Sequence, residues 1–446
     1  MSLAIRRTAS RPSVLLVWAG AIASIATAGW LLAATPLRAQ QPTFRSAVDL
    51  VAVDVQVIDG TGHPIPQLHP EHFQVTIGGS RRRVVSADYI QTTAPDGPPV
   101  TAGPSARNMW PESPTGGDGV GRVYVLAYDL GSLTLQDSRA VVNSSRSFID
   151  RLQPADRVGL YTFPVGPRME ATLDHAAVRA RIATVVGSQP TVLGEYSLTP
   201  SEVVDINYEN ARDSSLARRL GSGQVDADDA FTALRRVQVR ECDGLTPLPV
   251  CTESILQAAL NQGLYLEGRA SESMNGLSTL VRFLSVFPGR KTLVMFSAGI
   301  TASDRPGGRP DMYDAAKTLG KDAAATNTTI YAVQLNTAEM IANSAQTRKT
   351  GRVPPNHARD IVVQRRLMDE FSGASGGALM PVVTGSGEYA LTRVLRETSS
   401  HYLLGVEPQD SDRDGKLRDL KVKVLNQKGT TVRSRLWVSI PVKKVG

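Results

Sequence analysis

Cysteine, aromatic side chains and surplus charge are all scarce in this chain, and each shortage removes a class of function. The 446 residues hold two cysteines, Cys242 and Cys251, nine positions apart in one polar stretch. Two thiols make no zinc site without histidines close by, and His175 and His357 are distant in sequence. Phe, Trp and Tyr together make up 5% of the chain, which weakens any reading based on stacked bases or sugar platforms. The formal net charge is +7, but Arg6, Arg7, Arg11 and Arg38 carry four of those charges, which leaves the rest near +3. Nucleic-acid binders concentrate Lys and Arg on one face, and so small a surplus argues against that partner. There is no Walker-type phosphate loop and no His-Glu-x-x-His zinc helix. Beyond the first 40 residues no run is long and apolar enough to cross a bilayer.

What is present is enough to fold. Hydrophobic residues make up 41% and charged residues 20%, unlike the low hydrophobicity and high net charge of disordered chains. Residues 1–39 stand apart. Arg6, Arg7 and Arg11 precede an uncharged run over 14–34, and Ala39 offers a small residue before Gln40. That is the layout of a secretory signal peptide. The run is also long enough to span a bilayer, so an uncleaved N-terminal anchor is the competing reading, and the one expected route to membrane contact. Export to the periplasm or the cell exterior follows from either. In an exported chain Cys242 and Cys251 are expected to close a local disulfide.

Residues 44–91 alternate apolar and polar side chains and read as a small β unit, and 92–121 are a Pro/Gly-rich linker. Over 122–399 short apolar runs alternate with amphipathic stretches. Strands are expected at 123–128, 158–163, 292–296, 329–333 and 378–383. Helices are expected at 136–151, 175–186, 252–287, 312–325, 361–372 and 388–398. That alternation predicts an α/β fold with a mostly parallel sheet covered on both faces. A polar helical insertion over about 190–250 carries both cysteines, and 400–442 return to a second small β unit.

Four segments carry a resemblance. They are 48–75, Asp156 to Leu160, Phe287 to Val294, and the closing set of 372–377, 397–405 and 414–416. Together they resemble the acidobacterial VWFA-related family, exported bacterial proteins named for a von Willebrand factor A-type domain. The resemblance implies a doubly wound A-type sheet flanked by small N- and C-terminal β units. It also implies where to look for a site. Integrin-like A domains carry Asp-x-Ser-x-Ser after the first strand, a Thr in a second loop and an Asp after the fourth strand, and these oxygens hold Mg²⁺.

This chain keeps Asp129 but has Gly131 and Leu133 where serines belong, with Ser132 and Thr134 adjacent. At the fourth strand it reads Ser297-Ala298-Gly299, and Asp304 comes five or more residues late. The second-loop Thr has no clear place; Thr199 is one candidate. Asp129, Gly131, Ser132, Thr134, Ser297 and Asp304 are therefore the expected binding loops, with Asp129 and Ser132 the candidate ligands of a degenerate Mg²⁺ site. No other cofactor is expected.

Two further motifs are weaker. Gly373 to Gly377 copies a Gly-x-Ser-x-Gly elbow, but it runs from helix into strand, the reverse of a hydrolase elbow. Asp410 to Gly415 copies the opening of a calcium loop, yet Lys421 stands where the closing acid should be. The sequence therefore predicts a non-enzymatic protein-binding or adhesion module at the cell envelope. The alternatives are a structural envelope component with a vestigial metal site, and a Ser hydrolase.

Overall fold

The structure is a computed structural model that describes residues 50–91, 121–189, 196–242, 244–335, 356–382 and 387–442. The leader and, apart from Gly121, the linker lie outside the described residues. The strands are β1 (Val51–Ile58), β2 (Phe73–Ile77), β3 (Ser80–Gln91), β4 (Val123–Asp129), β5 (Arg157–Phe163), β6 (Met169–Thr172), β7 (Lys291–Ser297), β8 (Thr328–Leu335), β9 (Ala378–Val382), β10 (Ser400–Glu407), β11 (Leu417–Val424), β12 (Thr431–Arg433) and β13 (Trp437–Ser439). The helices are α1 (Leu135–Asp150), α2 (His175–Ile182), α3 (Pro200–Arg212), α4 (Leu216–Gly221), α5 (Ala233–Glu241), α6 (Leu248–Phe283), α7 (Tyr313–Ala325), α8 (His357–Ala374) and α9 (Glu388–Glu397).

One sheet is built from β4 to β9 in the order β6-β5-β4-β7-β8-β9. β4, β5, β7, β8 and β9 run parallel, and β6 lies antiparallel at the edge. Every residue of β7 and β8 is buried, which requires cover on both faces and explains the unbroken apolar runs. Tyr124, Leu126 and Tyr128 pack on one face with Val141 and Phe148 of α1, Val178 of α2 and Leu391 of α9. Val125 and Ala127 pack on the other with Leu277 of α6, Leu319 of α7 and Phe371 of α8. Strand order reverses beside β4: β5 and β6 lie on one side, β7 to β9 on the other. The carboxyl ends of β4 and β7, Asp129 and Ser297, thus meet at a topological switch point.

The strands expected at the two ends of the chain form, but they share one sheet. They interleave in the order β12-β1-β10-β3-β2-β11-β13, with antiparallel pairings. β10 lies between β1 and β3, joining Val53 to Leu404 and Leu403 to Asp88. The reason is physical. A hairpin with one apolar face is marginal alone and leaves open edges, so each half covers the other's. Val53, Val55, Val75, Leu404 and Leu420 form the shared core. Gln56 of β1 ties this sheet to the parallel one, donating to the Glu397 carbonyl at 3.0 Å and accepting from Tyr331 Oη at 3.1 Å.

α3, α4, α5 and the first half of α6 enclose a core of their own around Val203, Leu234, Val237 and Ile255. Cys242 and Cys251 are bonded and tie the end of α5 to the first turn of α6. In the chain-entropy view so short a loop contributes about 2–3 kcal/mol. The bond points to an oxidising compartment. No helix among the described residues is long and apolar enough to cross a membrane.

Candidate functional site

Asp129 is the last residue of β4 and is 1% exposed. Its Oδ2 accepts hydrogen bonds from Ser297 Oγ at 2.9 Å and Ser273 Oγ at 3.0 Å. Ser132 Oγ donates to the Asp129 carbonyl at 2.9 Å, lies 3.0 Å from Ser297 Oγ, and accepts the Ala298 amide at 3.0 Å. The Gly299 amide donates to Ser297 Oγ at 3.1 Å. Burial pushes the Asp129 carboxyl above the ordinary carboxylate range; the hydroxyls of Ser297 and Ser273 and the charge of Arg269 oppose that rise.

The loop after β4 is held by its own chemistry. Leu130 and Leu133 are buried in the sheet core, so Leu133, where the family pattern has a serine, faces away from the site. Thr134 caps α1: its hydroxyl donates to Asp137 Oδ2 at 2.6 Å and accepts the Asp137 amide at 3.1 Å. Thr134 is therefore a helix cap rather than a site residue. Thr199 likewise caps α3.

Asp304 does not join the group either. Arg359 grips both its oxygens and also bonds Asp205 of α3 at 2.8 Å, which holds the Asp304 carboxyl below its usual range. Of the expected residues, Asp129, Gly131, Ser132 and Ser297 come together, and Thr134 and Asp304 do not.

Two residues of the site come from α6. Ser273 and Arg269 sit one turn apart on that helix, so both reach the same place. The Arg269 guanidinium lies against Gly131. A Cβ at position 131 would fall 2.0 Å from Nη2 and 2.5 Å from Cζ. Only glycine leaves room for that approach. Arg269 Nε is buried without a hydrogen-bond partner, and its ion pair is a long one, 3.9 Å to Glu272 Oε2.

Above these groups lies a cavity of about 560 Å³. Asp129, Gly131, Ser132, Arg269 and Ser273 line it on the sheet side. Tyr196, Leu198, Tyr265 and Leu266, from the insertion and α6, line it elsewhere.

The group does not fit a resident divalent ion. Mg²⁺ demands hard, preferably anionic oxygens. Asp129 is the one carboxylate among the gathered residues, its Oδ2 already takes two serine hydroxyls, and Arg269 adds a positive charge. Among the described residues no cluster of three or more His, Cys, Asp or Glu could hold a metal. The expected ligation of Mg²⁺ by Asp129 and Ser132 thus gives way to a hydroxyl–carboxylate network beside a guanidinium.

The two weaker motifs have structural roles. Ser375 Oγ is buried; it accepts the Ile330 amide at 2.9 Å and donates to the Ser372 carbonyl at 2.7 Å, fixing the turn from α8 into β9. Within the calcium-like loop, Asp412 is held by Arg82 at 2.6 and 2.7 Å and Asp414 by Arg418 at 3.0 Å. Both acids are committed to arginines.

No protein-family model matches the chain, and no curated protein does. Among solved structures the chain is similar to the human COPII-coat protein Sec24c, at 10% identity over 73% of this chain, with a TM-score of 0.27. It spans 44% of the length of that protein. A similarity at that TM-score carries no argument about activity or partner.

Proposed function

We propose that this chain is an exported, non-enzymatic binding module, built on a von Willebrand A-type doubly wound sheet and akin to the VWFA-related family, that takes a protein partner at the β4–β7 switch point. The observation that carries the reading is the cavity at the carboxyl ends of β4 and β7, where open α/β sheets receive ligands. Among the described residues its lining contains no Cys, His, Lys or Glu. A serine nucleophile needs a base within hydrogen-bond reach, and the one acid present, Asp129, is bonded to Ser273 and Ser297 inside the floor. These features support binding as the role of the site. The disulfide and the charged-then-apolar leader support work outside the cytoplasm, at the cell envelope.

The test blocks the cavity without touching the core. Asn261 is an exposed residue of α6 on the cavity lining. Asn261→Trp is expected to leave the melting temperature within about 2 °C, since surface substitutions away from special features cost little. It should abolish capture of the envelope protein that the wild-type chain retains in a pull-down. Equal capture by both proteins would contradict the reading.

A further inference from the structure

We propose that the cavity receives a carboxylate carried on an apolar body, gripped by the Arg269 guanidinium with no metal ion between them. The inference rests on the binding reading above and names what that site takes.

Arg269 has a hydrogen-bonding capacity that the described residues leave unused. Its Nε is buried and unpaired, no hydrogen bond joins its guanidinium to another described residue, and Glu272 Oε2 stands 3.9 Å away. A desolvated donor without an acceptor is costly, and a planar guanidinium fork matches the two oxygens of a carboxylate. Asp129 does not fill that role: its Oδ2 accepts from Ser297 and Ser273, and no hydrogen bond joins it to Arg269.

Gly131 is the second observation. It stands where the metal-binding loop pattern has a serine, and any side chain there would collide with the guanidinium, whose Nη2 is 2.0 Å from the position of a Cβ. The glycine and the arginine thus go together: the position that is a serine in the metal-binding pattern here admits a cation. The positive charge that draws an acidic group is covalently part of α6.

The rest of the cavity sets the ligand's body. Leu198, Leu266 and Ile300 supply apolar surface, and a volume of about 560 Å³ is that of a small-ligand site. A folded domain cannot enter it, whereas the last residues of a peptide chain or a free aromatic or aliphatic acid can. These two sources share the carboxylate and differ in whether backbone amides accompany it.

The full chain, in EDTA, is titrated calorimetrically with N-acetyl-Leu-Phe as the free acid, with its C-terminal amide, with phenylacetate and with inorganic phosphate. The free acid is expected to bind at least about tenfold more tightly than the amide. Arg269→Met should weaken the free acid by at least about tenfold; a melting scan run alongside shows that the variant stays folded, with any fall reflecting loss of the positive charge that faces the buried Asp129 carboxyl. Gly131→Ala, which displaces the guanidinium but keeps its charge, should weaken the free acid too. Phenylacetate binding as tightly as the peptide assigns the site to free acids; a tighter peptide assigns it to a chain end.

Equal binding of acid and amide, unchanged binding by Arg269→Met, stronger binding of phosphate, or no binding of any acid would each overturn the inference. If the acids fail while Asn261→Trp still loses its envelope partner, the binding reading stands and the ligand chemistry is different. If both fail, the reading of the cavity as a seat falls with it.

Discussion

Arg82→Ala is expected to destabilise the protein by about 3–5 kcal/mol, the cost of stranding one member of a buried ion pair. Arg82 of β3 and Asp412, which precedes β11, have side chains 4% and 1% exposed, joined by two hydrogen bonds of 2.6 and 2.7 Å. The guanidinium holds the Asp412 carboxyl below its ordinary range, and the Gln409 amide adds a third hydrogen bond at 2.9 Å. Without Arg82 that carboxylate stays buried and must either remain ionised without its cation or take up a proton. The pair joins segments 330 positions apart in the chain, so it tests the interleaving of the two ends directly. Denaturant unfolding of Arg82→Ala measures the loss. The double variant Arg82→Leu with Asp412→Leu should recover much of it, since removing both charges leaves none unpaired. A loss below about 1 kcal/mol in Arg82→Ala, the scale of exposed ion pairs, would mean that the two ends are not packed as described.

Acid is expected to weaken the fold through His401, beginning above the pH at which ordinary carboxylates are protonated. Burial, and then the charge of Arg290, push His401 down to about 4, against a pull upward from Asp54, whose Oδ1 lies 3.5 Å away. Its side chain is 14% exposed. The folded protein therefore favours the neutral ring, while the unfolded chain takes up a proton near the ordinary value of about 6.5. Stability from this group is complete above the unfolded value and is lost as pH falls from 6.5 towards 4, because over that window the unfolded chain binds more protons. The full difference corresponds to about 3 kcal/mol at most, from 1.36 kcal/mol per pH unit. His401→Gln should flatten the fall in melting temperature between pH 6.5 and 4.5. An equal slope in wild type and variant would place the acid sensitivity elsewhere.

Much of the parallel sheet could be read from residue order. The unbroken apolar runs of β4, β7 and β8 announce strands covered on both faces, and the helices of 252–287, 312–325 and 361–372 fall close to α6, α7 and α8. Because strand ends are set by those runs, Asp129, Ser132 and Ser297 were also legible as neighbours. Three features were not. Alternation shows that residues 51–58 form a strand with one apolar face, but nothing local says that the strand will pair with 402–406. The four residues of β6 carry no pattern long enough to read. Arg269 and Ser273 lie within a helix of 36 residues, where a lone Arg reads as a solvated face; their spacing of four is the one local signal, and it gains meaning only when β4 lies beneath them. Gly131 shows the limit most plainly. By itself it reads as a lost ligand, and only the guanidinium against it gives the glycine a purpose.

The positive charge of this site belongs to Arg269, and no divalent ion takes part in the proposed binding. Thermal unfolding in EDTA, and then in low-millimolar Mg²⁺ or Mn²⁺, tests it most directly. A ligand at a hundred times its dissociation constant stabilises by roughly 2.7 kcal/mol, well within reach of a melting scan. No rise in melting temperature is expected with either ion. A clear rise that disappears in Asp129→Asn would contradict it, and would make a metal held by Asp129 the seat of binding.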